Sequence, residues 1–502
     1  MIYPDLDQYR KMCEEYSLIP VWREVRIDMD TPISIFRKTA RQRGAYLLES
    51  VEGGENLARY SFIGLEPFLE FTFKGGEGSV SRGGVISRLS GKPLECLEDF
   101  LASFRAPQLE DLPRFYGGAV GYFGYDLVRS WEVLPAGGTD DLEMPDCRFV
   151  FARIVLIIDH VKHQMKIVYN SSAGADPESA YREAAENLER ITGLVMSGEA
   201  SFSPRLEDYQ VKDFPPGKGL QEPQITSNLT RAEYMARVEQ AKEYIKSGDI
   251  FQVVLSQRFQ APLTIPPFEL YRSLRSLNPA PYLYYLELGE DTIIGSSPEM
   301  LVRVEDQRVE TCPIAGTRPR GRNAQEDTRL AAELAADEKE KAEHLMLVDL
   351  GRNDLGRVSE YGTVKVSQFM KVEKYSHVMH MVSLVEGHLK EGQGNMDALR
   401  ACFPAGTVSG APKVRAMEII AQLEPHNRGP YAGAIGYFSF TGNMDTCITI
   451  RTIVVRDGQV YVQAGAGIVA DSDPATEYQE TVNKAMALLK ALRLQDKGLA
   501  LA

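Results

Sequence analysis

Carboxylate side chains near the C-terminus of this sequence are spaced in a way that could hold a cation. Glu477 and Glu480 lie three residues apart, and Lys484 follows four residues later. At about 100° per residue these three side chains fall on one side of a helix. Apolar residues occupy roughly the opposite side, namely Tyr478, Val482, Ala485, Met486, Leu489 and Leu492. The same spacing also suits a solvated face with an ordinary Glu480–Lys484 ion pair.

A second acidic pair, Glu340 and Glu343, lies three residues apart in a segment with helical spacing that begins at Asp337. Two helices that each offer carboxylates provide the oxygen ligands that Mg²⁺ prefers, with waters and substrate oxygens completing the octahedron. The spacing leaves open whether the two helices face each other. A surface position for both acids is the alternative to a metal site.

Two glycine-rich segments are predicted to be turns with anion-binding potential. Gly465-Ala-Gly467-Ile-Val-Ala470 matches G-x-G-x-x-A. A dinucleotide site, however, needs a second strand that ends in an acid about 20 residues later, and here a helix follows. Backbone N–H groups of such a turn can still bind a carboxylate. The segment 404–413 lacks the spacing of a phosphate-binding loop; Thr407 and Ser409 either cap a helix there or bind an anion.

Arg451 is the third candidate for binding an anion. Alternation predicts a strand over 446–455 with Arg451 on the same face as Cys447 and Thr449. A surface arginine is the ordinary alternative, because arginine is rarely fully buried. Tyr437 and His380 carry no signal from spacing alone.

The elements that must position these residues combine helices and strands. Helical spacing is predicted for 177–196, and a capping box, Thr230-Arg-Ala-Glu233, begins another helix that ends near Lys246. A last helix is predicted from about 474 to 492. Strands are predicted at 251–259, 282–288, 433–440, 446–455 and 460–463, the last two joined by Asp457-Gly458. Helices and antiparallel hairpins are segregated, which predicts an α+β fold.

Composition narrows the class of protein. The chain has 502 residues and a formal net charge of −14, so nucleic acid and anionic membranes are poor partners for its surface. The longest apolar stretch, 149–158, is interrupted by Arg153 and is too short to cross a bilayer. The N-terminal segment lacks the apolar core of a secretion signal, so we expect a cytoplasmic protein.

The six cysteines show neither CxxC nor Cys/His pairing, which excludes a zinc site or a disulfide framework of the usual kind. None lies in the GxCxGxQ turn of a glutamine amidotransferase. A stretch rich in Pro, Gly and Ser, 201–227, predicts a linker between an N-terminal regulatory or structural region, 1–200, and a catalytic region, 228–495.

Taken together, these segments resemble the chorismate-utilising enzymes, and among them the anthranilate synthase component I group. The matching segments are DIFQVVLSQ (249–257), GSSPEMLV (295–302), PIAGTRPRG (313–321), EHLMLVDLGRNDLGRV (343–358), HVMHMVS (377–383), FPAGTVSGAPK (403–413), GAIGY (433–437), IRT (450–452) and AGAGIVADSDPATEYQET (464–481). The resemblance covers nearly the whole chain. It implies two large antiparallel β-sheets layered with helices, and a Mg²⁺-dependent carbon–oxygen lyase.

The resemblance also assigns roles to the candidate residues. Glu343 and Glu480 would ligate Mg²⁺, with Glu477 binding directly or through water, and the metal would hold the ring carboxylate of chorismate. The enolpyruvyl carboxylate would be bound by Tyr437, Arg451, Gly465 and Gly467. Lys484 would help to balance the glutamates, and Thr407 would lie beside the ring carboxylate.

For the chemistry, the resemblance makes Glu299 the general acid that protonates the departing C4 hydroxyl. Such a role requires a carboxyl kept protonated by poor solvation or by nearby carboxylates. Mg²⁺ on the ring carboxylate would stabilise charge while C2 is attacked. His380 would assist the removal of the C2 proton as pyruvate leaves.

Two positions separate the members of the family. Isochorismate and salicylate synthases have a lysine that activates water where this chain has Gln252, and an amide cannot act as that base. Aminodeoxychorismate synthases commonly read PIKGT, with a lysine nucleophile where this chain has Ala315. Ammonia would therefore add directly at C2 and give anthranilate. Aminodeoxychorismate synthase and a non-catalytic amino-acid sensor stay as alternatives.

The resemblance further implies partners and an inhibitor. Because the chain lacks a glutaminase motif, its ammonia would come from a separate glutamine amidotransferase subunit, in a hetero-oligomer. Tryptophan would be a feedback inhibitor. Its pocket would use Glu49, Ser50, Asn278, Pro279 and Tyr282, and Ala280 replaces the serine that relatives usually have.

Overall fold

The computed structural model describes residues 1–40, 43–50, 59–197, 225–375 and 378–492. Residues 201–224 of the expected linker lie outside this part of the chain, as do His377 and residues 493–495 at the end of the expected catalytic region. In the described ranges, no helix is both long enough and apolar enough to cross a membrane.

The α-helices are numbered in chain order. They are α1 (Leu6–Met12), α2 (Pro32–Thr39), α3 (Pro93–Ala102), α4 (Pro177–Met196), α5 (Arg231–Lys246), α6 (Pro267–Leu277), α7 (Ala324–Ala336), α8 (Glu338–Val358), α9 (Asn395–Cys402), α10 (Lys413–Leu423) and α11 (Pro474–Leu489). Short 3₁₀ helices cover Tyr125–Ser130 and Gly406–Val408.

The strands are numbered in the same way. They are β1 (Leu18–Arg26), β2 (Tyr46–Glu49), β3 (Tyr60–Lys74), β4 (Glu77–Arg82), β5 (Val85–Leu89), β6 (Gly118–Phe123), β7 (Cys147–Asp159), β8 (Gln164–Ser172), β9 (Thr226–Ser227), β10 (Gln252–Pro262), β11 (Tyr282–Leu288), β12 (Asp291–Ser297), β13 (Met300–Glu305), β14 (Arg308–Thr311), β15 (Ile314–Pro319), β16 (Lys365–Lys374), β17 (Val378–His388), β18 (Gly410–Ala411), β19 (Ala434–Ser439), β20 (Met444–Ile448), β21 (Thr452–Arg456) and β22 (Gln459–Ile468).

These strands pair antiparallel in two large sheets that share the long strands β3 and β7. One sheet runs β5-β4-β3-β7-β6-β19-β20-β13-β14-β17, with β15 and β16 also on β17. The other runs β1-β8-β7-β3-β2-β11-β12-β21-β22-β10, with β9 and β18 on β10. The expected α+β fold with two antiparallel sheets is confirmed.

The two sheets pack face to face, and helices cover their outer faces. Along β6, Val120 and Tyr122 belong to a cluster drawn from strands of both sheets. Their neighbours Ala119 and Phe123 belong to a cluster that includes residues of α3, α8, α9 and α10. Successive side chains of a strand point to opposite faces, so one strand contributes to both layers.

The N-terminal and C-terminal regions do not have separate cores. β2 pairs with β11, and β6 pairs with β19, so strands from 1–200 and from 228–495 alternate within the same sheets. The division at the linker therefore does not separate two independently packed units.

Local signals placed several elements correctly. α4 has the expected bounds and buries Ala184, Leu188, Ile191 and Val195. The capping box that begins α5 is present: the Glu233 N–H donates to Thr230 Oγ1 at 3.3 Å, and the Thr230 N–H donates to the Glu233 carboxylate at 2.8 Å. Asp457 and Gly458 both have positive φ, as their tight turn requires.

Two expectations about the C-terminal strands are wrong. The single strand expected over 446–455 is two strands, β20 and β21, with a break between them. The glycine segment expected to be a turn lies within β22, where Gly465 pairs with Ser256 and Gly467 with Val254 of β10. Alternation and glycine content do not reveal where a strand bends or which neighbour pairs with it.

Candidate active site

A cavity of about 1080 Å³, which we call the central cavity, is lined by residues of both sheets and of α8 and α11. Nearly all of the residues proposed for metal binding, substrate binding and catalysis line it. They are Glu299, Glu343, His380, Thr407, Arg451, Gly465, Gly467, Glu477, Glu480 and Lys484. The tertiary structure therefore brings together residues that are up to 185 positions apart in the sequence, from Glu299 to Lys484 (484 − 299).

Four glutamates of α8 and α11 concentrate negative charge in this cavity. Burial raises the pKa of Glu343 on α8, and the neighbouring charge of Glu340 adds to the rise. Glu480 and Glu477 on α11 also raise the pKa of Glu343, so the two acidic helices lie within electrostatic reach of each other. Burial is likewise the main cause of the raised pKa of Glu477, with a contribution from Glu480. The question that helical spacing left open is thus answered: both acidic faces line one cavity.

The glutamates do not form a closed cage. Among the described residues, no three His, Cys, Asp or Glu side chains converge closely enough to enclose a metal ion. Lys484 forms an ion pair with Glu480. Its Nζ lies 2.6 Å from the Glu480 carboxylate and donates a hydrogen bond to the Gly465 carbonyl oxygen at 2.9 Å. The donor set nevertheless fits Mg²⁺, which takes one or two carboxylates and completes its shell with waters and substrate oxygens.

Glu299 immediately precedes β13 and is buried at the edge of the central cavity. Burial raises the pKa of its carboxyl to about 8, and the nearby Thr407 hydroxyl opposes this rise. That hydroxyl makes no hydrogen bond of normal geometry within the described chain. A carboxyl with such a pKa keeps its proton at neutral pH and can donate it to a leaving group.

His380 lies on β17, opposite Thr317 of β15. Its Nδ1 lies 3.0 Å from the Gly316 carbonyl oxygen and 3.1 Å from Thr317 Oγ1. Because a carbonyl oxygen only accepts hydrogen bonds, Nδ1 carries the proton of the neutral ring, which leaves Nε2 free to accept one. Burial lowers the pKa of His380, so the ring is neutral at neutral pH.

Arg451 lies in the break between β20 and β21. It has a φ of 51°, an uncommon conformation for a residue with a side chain, which costs on the order of 1–3 kcal/mol. Hydrogen bonds hold the bend, among them Ser296 N–H to the Arg451 carbonyl oxygen at 3.1 Å and Thr449 N–H to the Gly433 carbonyl oxygen at 2.9 Å. The bend places the arginine at the central cavity instead of on a regular strand face.

The Arg451 guanidinium has no counter-charge within the described part of the chain. Burial lowers its pKa, and no ion pair or side-chain hydrogen bond of Arg451 is formed within the described residues. A buried cation without an anion is unfavourable. A carboxylate bound in the cavity would pair with it through two parallel hydrogen bonds.

The two glycines of β22 leave room for groups at the cavity wall. A β-carbon at Gly465 would lie 2.7 Å from the Tyr431 hydroxyl, and one at Gly467 would lie 2.6 Å from Gln252 Nε2. Beyond Val462, β22 pairs with β10 but no longer with β21. The glycine backbone that was expected in a turn therefore lies along a strand edge that β21 leaves open.

Tyr437 is the one expected substrate-binding residue that does not line the central cavity. It alternates with Phe438 on β19 and faces the layer between the two sheets, where Ile435 also packs. The structure therefore does not bring Tyr437 to the central cavity, where contact with the substrate was expected. Tyr431 lines the cavity instead. No periodic pattern marks Tyr431, because it lies in a loop just before β19.

Gln252 and Ala315 both line the central cavity. Gln252 is the first residue of β10 and is buried. Ala315 lies on β15, opposite Met381 of β17. The cavity wall thus has an amide and a methyl group at the two positions where relatives with other chemistry have lysines.

The residues expected to bind tryptophan divide between two cavities. Glu49, Ser50 and Tyr282 line a second cavity of about 60 Å³, which we call the side pocket. Asn278 and Pro279 line the central cavity. Pro281 lines both, so the segment 278–282 forms part of the wall between them.

The side pocket is both aromatic and charged. Tyr282 donates to Asp445 at 3.0 Å, and Arg303 donates to the same carboxylate at 3.0 Å. The buried Glu49 carboxylate accepts hydrogen bonds from Tyr271 and Arg275. The Tyr437 hydroxyl, which also lines the pocket, has no hydrogen-bond partner within the described residues.

Comparison with known proteins agrees with this geometry. Residues 43–490 match the family described as chorismate binding enzyme. The chain is similar to anthranilate synthase component 1 of Acetivibrio thermocellus, with 52% identity over 98% of this chain and 99% of that protein. Its similarity to the same component from Aquifex aeolicus (strain VF5) is 47% over 98% of each chain. The crystal structure of anthranilate synthase component I from Streptococcus pneumoniae TIGR4 superposes with a TM-score of 0.74, at 38% identity over 92% of this chain and 98% of that chain.

We expect Glu299→Gln to change how stability depends on pH. The folded-state pKa of Glu299 is about 8, above its ordinary value of 4.5. The wild-type free energy of unfolding should therefore fall as pH rises from 4.5 to 8, because ionisation is easier in the unfolded chain. The glutamine variant should lack this part of the fall, as measured by urea unfolding at pH 5 and pH 8.5. Glu333→Gln, an exposed acid on α7, serves as the control. Identical pH dependence in the Glu299→Gln variant and wild type would contradict a protonated Glu299.

Proposed function

The chain belongs to the chorismate binding enzyme family, and on this basis we propose that it is the chorismate-converting component of an anthranilate synthase. It combines chorismate with ammonia and releases anthranilate and pyruvate, in tryptophan biosynthesis. The observation that carries this proposal is one cavity that contains a protonated carboxyl, an unpaired arginine and two acidic helices, with Gln252 and Ala315 in its wall.

The two carboxylates of chorismate suit the two charged regions of the central cavity. Arg451 and the open edge of β22 bind the enolpyruvyl carboxylate, since a buried guanidinium without an anion gains most from such a ligand. Tyr431, whose hydroxyl lies against Gly465, supports the same end of the substrate. Thr407 lies beside the ring carboxylate.

Glu343 and Glu480 are the proposed ligands of Mg²⁺, with Glu477 binding directly or through water. When bound, the metal neutralises these carboxylates and holds the ring carboxylate, which stabilises charge during attack at C2. The raised pKa values of Glu343 and Glu477, to which Glu480 contributes in both cases, support a cation here, since like charges in one cavity are otherwise unfavourable.

Glu299 and His380 supply the proton transfers. The protonated Glu299 donates to the C4 hydroxyl, which leaves as water while ammonia adds at C2. His380 is neutral, and its Nε2 is available to accept the C2 proton as the bond between C3 and the enolpyruvyl oxygen breaks. The enolpyruvyl group leaves as enolpyruvate, which takes up one proton at its methylene carbon to become pyruvate. The ring then becomes aromatic.

Ammonia is the proposed nucleophile because neither wall residue supports another one. The Gln252 amide has no basic lone pair at neutral pH with which to activate water, and the Ala315 methyl cannot attack C2. A separate glutamine amidotransferase subunit is the proposed source of ammonia. The relatives named component 1 support such a two-component arrangement.

Product analysis tests the proposal directly. With chorismate, Mg²⁺ and ammonium at alkaline pH, we expect fluorescent anthranilate and pyruvate in equal amounts, and no product when ammonium is omitted. Accumulation of a non-aromatic aminodeoxychorismate would instead identify the alternative enzyme. A complete absence of turnover, with chorismate or tryptophan still bound, would identify an amino-acid sensor.

Replacing one proposed metal ligand tests the role of the acidic helices. Glu480→Gln should lower turnover by at least about 100-fold, because the amide removes one charge from the metal site. It should also weaken Mg²⁺ binding measured by calorimetry, while the melting temperature changes little. Glu338→Gln on α8, an exposed residue paired with Lys341, is the matched control. Wild-type turnover by the Glu480→Gln variant would refute the metal assignment.

Tryptophan is the proposed inhibitor, bound in the side pocket. The pocket offers aromatic walls, the Tyr437 hydroxyl without a partner, and charged groups for an amino acid. At about 60 Å³ it must widen to admit an indole ring. Because the segment 278–282 lies between the side pocket and the central cavity, such widening would displace Asn278 and Pro279 at the substrate site.

Tyr437→Phe distinguishes the side pocket from the substrate site. We expect weaker inhibition by tryptophan, by about 5- to 10-fold, because one hydrogen bond of about 1 kcal/mol is lost. The KM for chorismate should stay unchanged, since Tyr437 does not line the central cavity. Tyr361→Phe, fully exposed, is the control. An increase in the KM for chorismate with unchanged inhibition by tryptophan would contradict this assignment and show that Tyr437 contacts the substrate.

A further inference from the structure

A small cavity of about 40 Å³, which we call the rear pocket, lies next to Glu299 and separate from the central cavity. Glu299, Thr407 and Leu347 line both cavities, so these three side chains form the partition between them. Asp354 of α8 lines only the rear pocket. Glu299, the proposed general acid, therefore also borders a second pocket with polar residues, which chorismate does not occupy.

Polar oxygens in the rear pocket lack a full set of partners within the described residues. Asp354 Oδ1 is buried and makes no hydrogen bond there. Thr407 Oγ1 makes none of normal geometry, although it lies close enough to Glu299 to lower the pKa of that carboxyl. The other carboxylate oxygen of Asp354 accepts from Lys413 Nζ at 2.8 Å, and Lys413 also donates to the Cys402 carbonyl oxygen at 3.2 Å. Buried polar atoms of this kind are usually satisfied by ordered water.

The size of the rear pocket suits water. One water needs roughly 10–15 Å³ of such space and two to four polar partners. The volume of about 40 Å³ accommodates on the order of two or three molecules. Glu299, Thr407 and Asp354 supply the partners at its wall.

We propose that ordered waters in the rear pocket link Glu299 and Thr407 to Asp354, and that this chain returns a proton to Glu299 in each catalytic cycle. Asp354 acts through the waters and does not touch the substrate, so it is a positioning residue. The water chain follows from the pocket alone; its catalytic use rests on the proposed function.

The proton transfers balance along this route. Glu299 loses its proton when the C4 hydroxyl leaves as water, and the nitrogen that has added at C2 loses one proton to solvent, so one proton must return from solvent to Glu299. A proton from solvent passes to Asp354, then along the waters to the Glu299 carboxylate, so each O–H bond broken in the chain is matched by one formed. The central cavity holds substrate or product during this time, which leaves the rear pocket as the open route.

The charged and titratable groups around the pocket agree with such a relay. Burial raises the pKa of Asp354, against the lowering effect of Lys413 and Arg357, so its carboxylate accepts a proton more readily than an exposed one. Cys312 and Cys402 also line the pocket, and burial raises the pKa of both thiols, which keeps them neutral. Arg357, one helical turn from Asp354, is exposed at the surface of α8.

A high-resolution crystal structure of the full chain tests the water chain itself. We expect ordered waters in the rear pocket that hydrogen-bond to Glu299, Thr407 Oγ1 and Asp354 Oδ1. A pocket without water would overturn the proposal, whatever reaction the enzyme catalyses.

Kinetics of Asp354→Asn then test its catalytic use. We expect kcat with ammonium to fall about 10-fold or more, the solvent deuterium isotope effect on kcat to rise, and the KM for chorismate to stay within twofold of wild type. Asp349→Asn, an exposed residue of the same helix paired with Arg352, should behave like wild type.

Each outcome of these experiments decides between alternatives. Unchanged kcat in folded Asp354→Asn, or a fall in kcat without a larger isotope effect, would overturn the relay and leave Asp354 a structural role. If Asp354→Asn does not fold, the crystal structure decides the water chain. If wild type produces no anthranilate while the waters are present, the proposed function fails and the pocket assignment stands.

Discussion

Ionisable side chains that are partly or fully withdrawn from water line the central cavity, and the rest of the fold must hold them there although hydration would favour their charged forms. Glu299 responds by keeping its proton, with a pKa raised to about 8. Arg451 stays charged and has no anion of its own within the described residues. Glu477 and Glu480 raise the pKa of Glu343 across the cavity, and Glu480 raises the pKa of Glu477. A ligand that brings anions to the arginine and a cation to the glutamates would make these charge states more favourable.

A fully buried ion pair stabilises the framework on which these groups depend. Arg428 and Glu424 have side chains that are 1% and 5% exposed and lie 2.6 Å apart. Arg428 also donates to the carbonyl oxygens of Val408 and Val254, each at 2.7 Å. It thereby joins the segment that carries Thr407 to the strand that carries Gln252. Removing either partner would leave an unpaired buried charge, which typically costs about 3–5 kcal/mol.

The shared sheets join the side pocket to the central cavity. Because β2 from the N-terminal region pairs with β11, Glu49 and Tyr282 lie in one sheet, at the end of the segment that also contributes Asn278 to the central cavity. The proposed inhibition requires only that this common wall be displaced, without any change in sheet pairing.

The sequence by itself determined the α+β class, the bounds of α4 and the capping box of α5, because these depend on periodicity and on contacts between residues close in the chain. Nearly all of the metal, substrate and catalytic residues that its resemblance to a known family supplied line the central cavity. The sequence could not predict which cavity Tyr437 lines, because that depends on which face of β19 is covered by other residues. It also could not predict the break at Arg451, because the apolar pattern continues through the bend. The approach of α8 to α11, the pKa of Glu299 and the rear pocket all depend on burial by residues far apart in sequence, so only the tertiary structure could decide them.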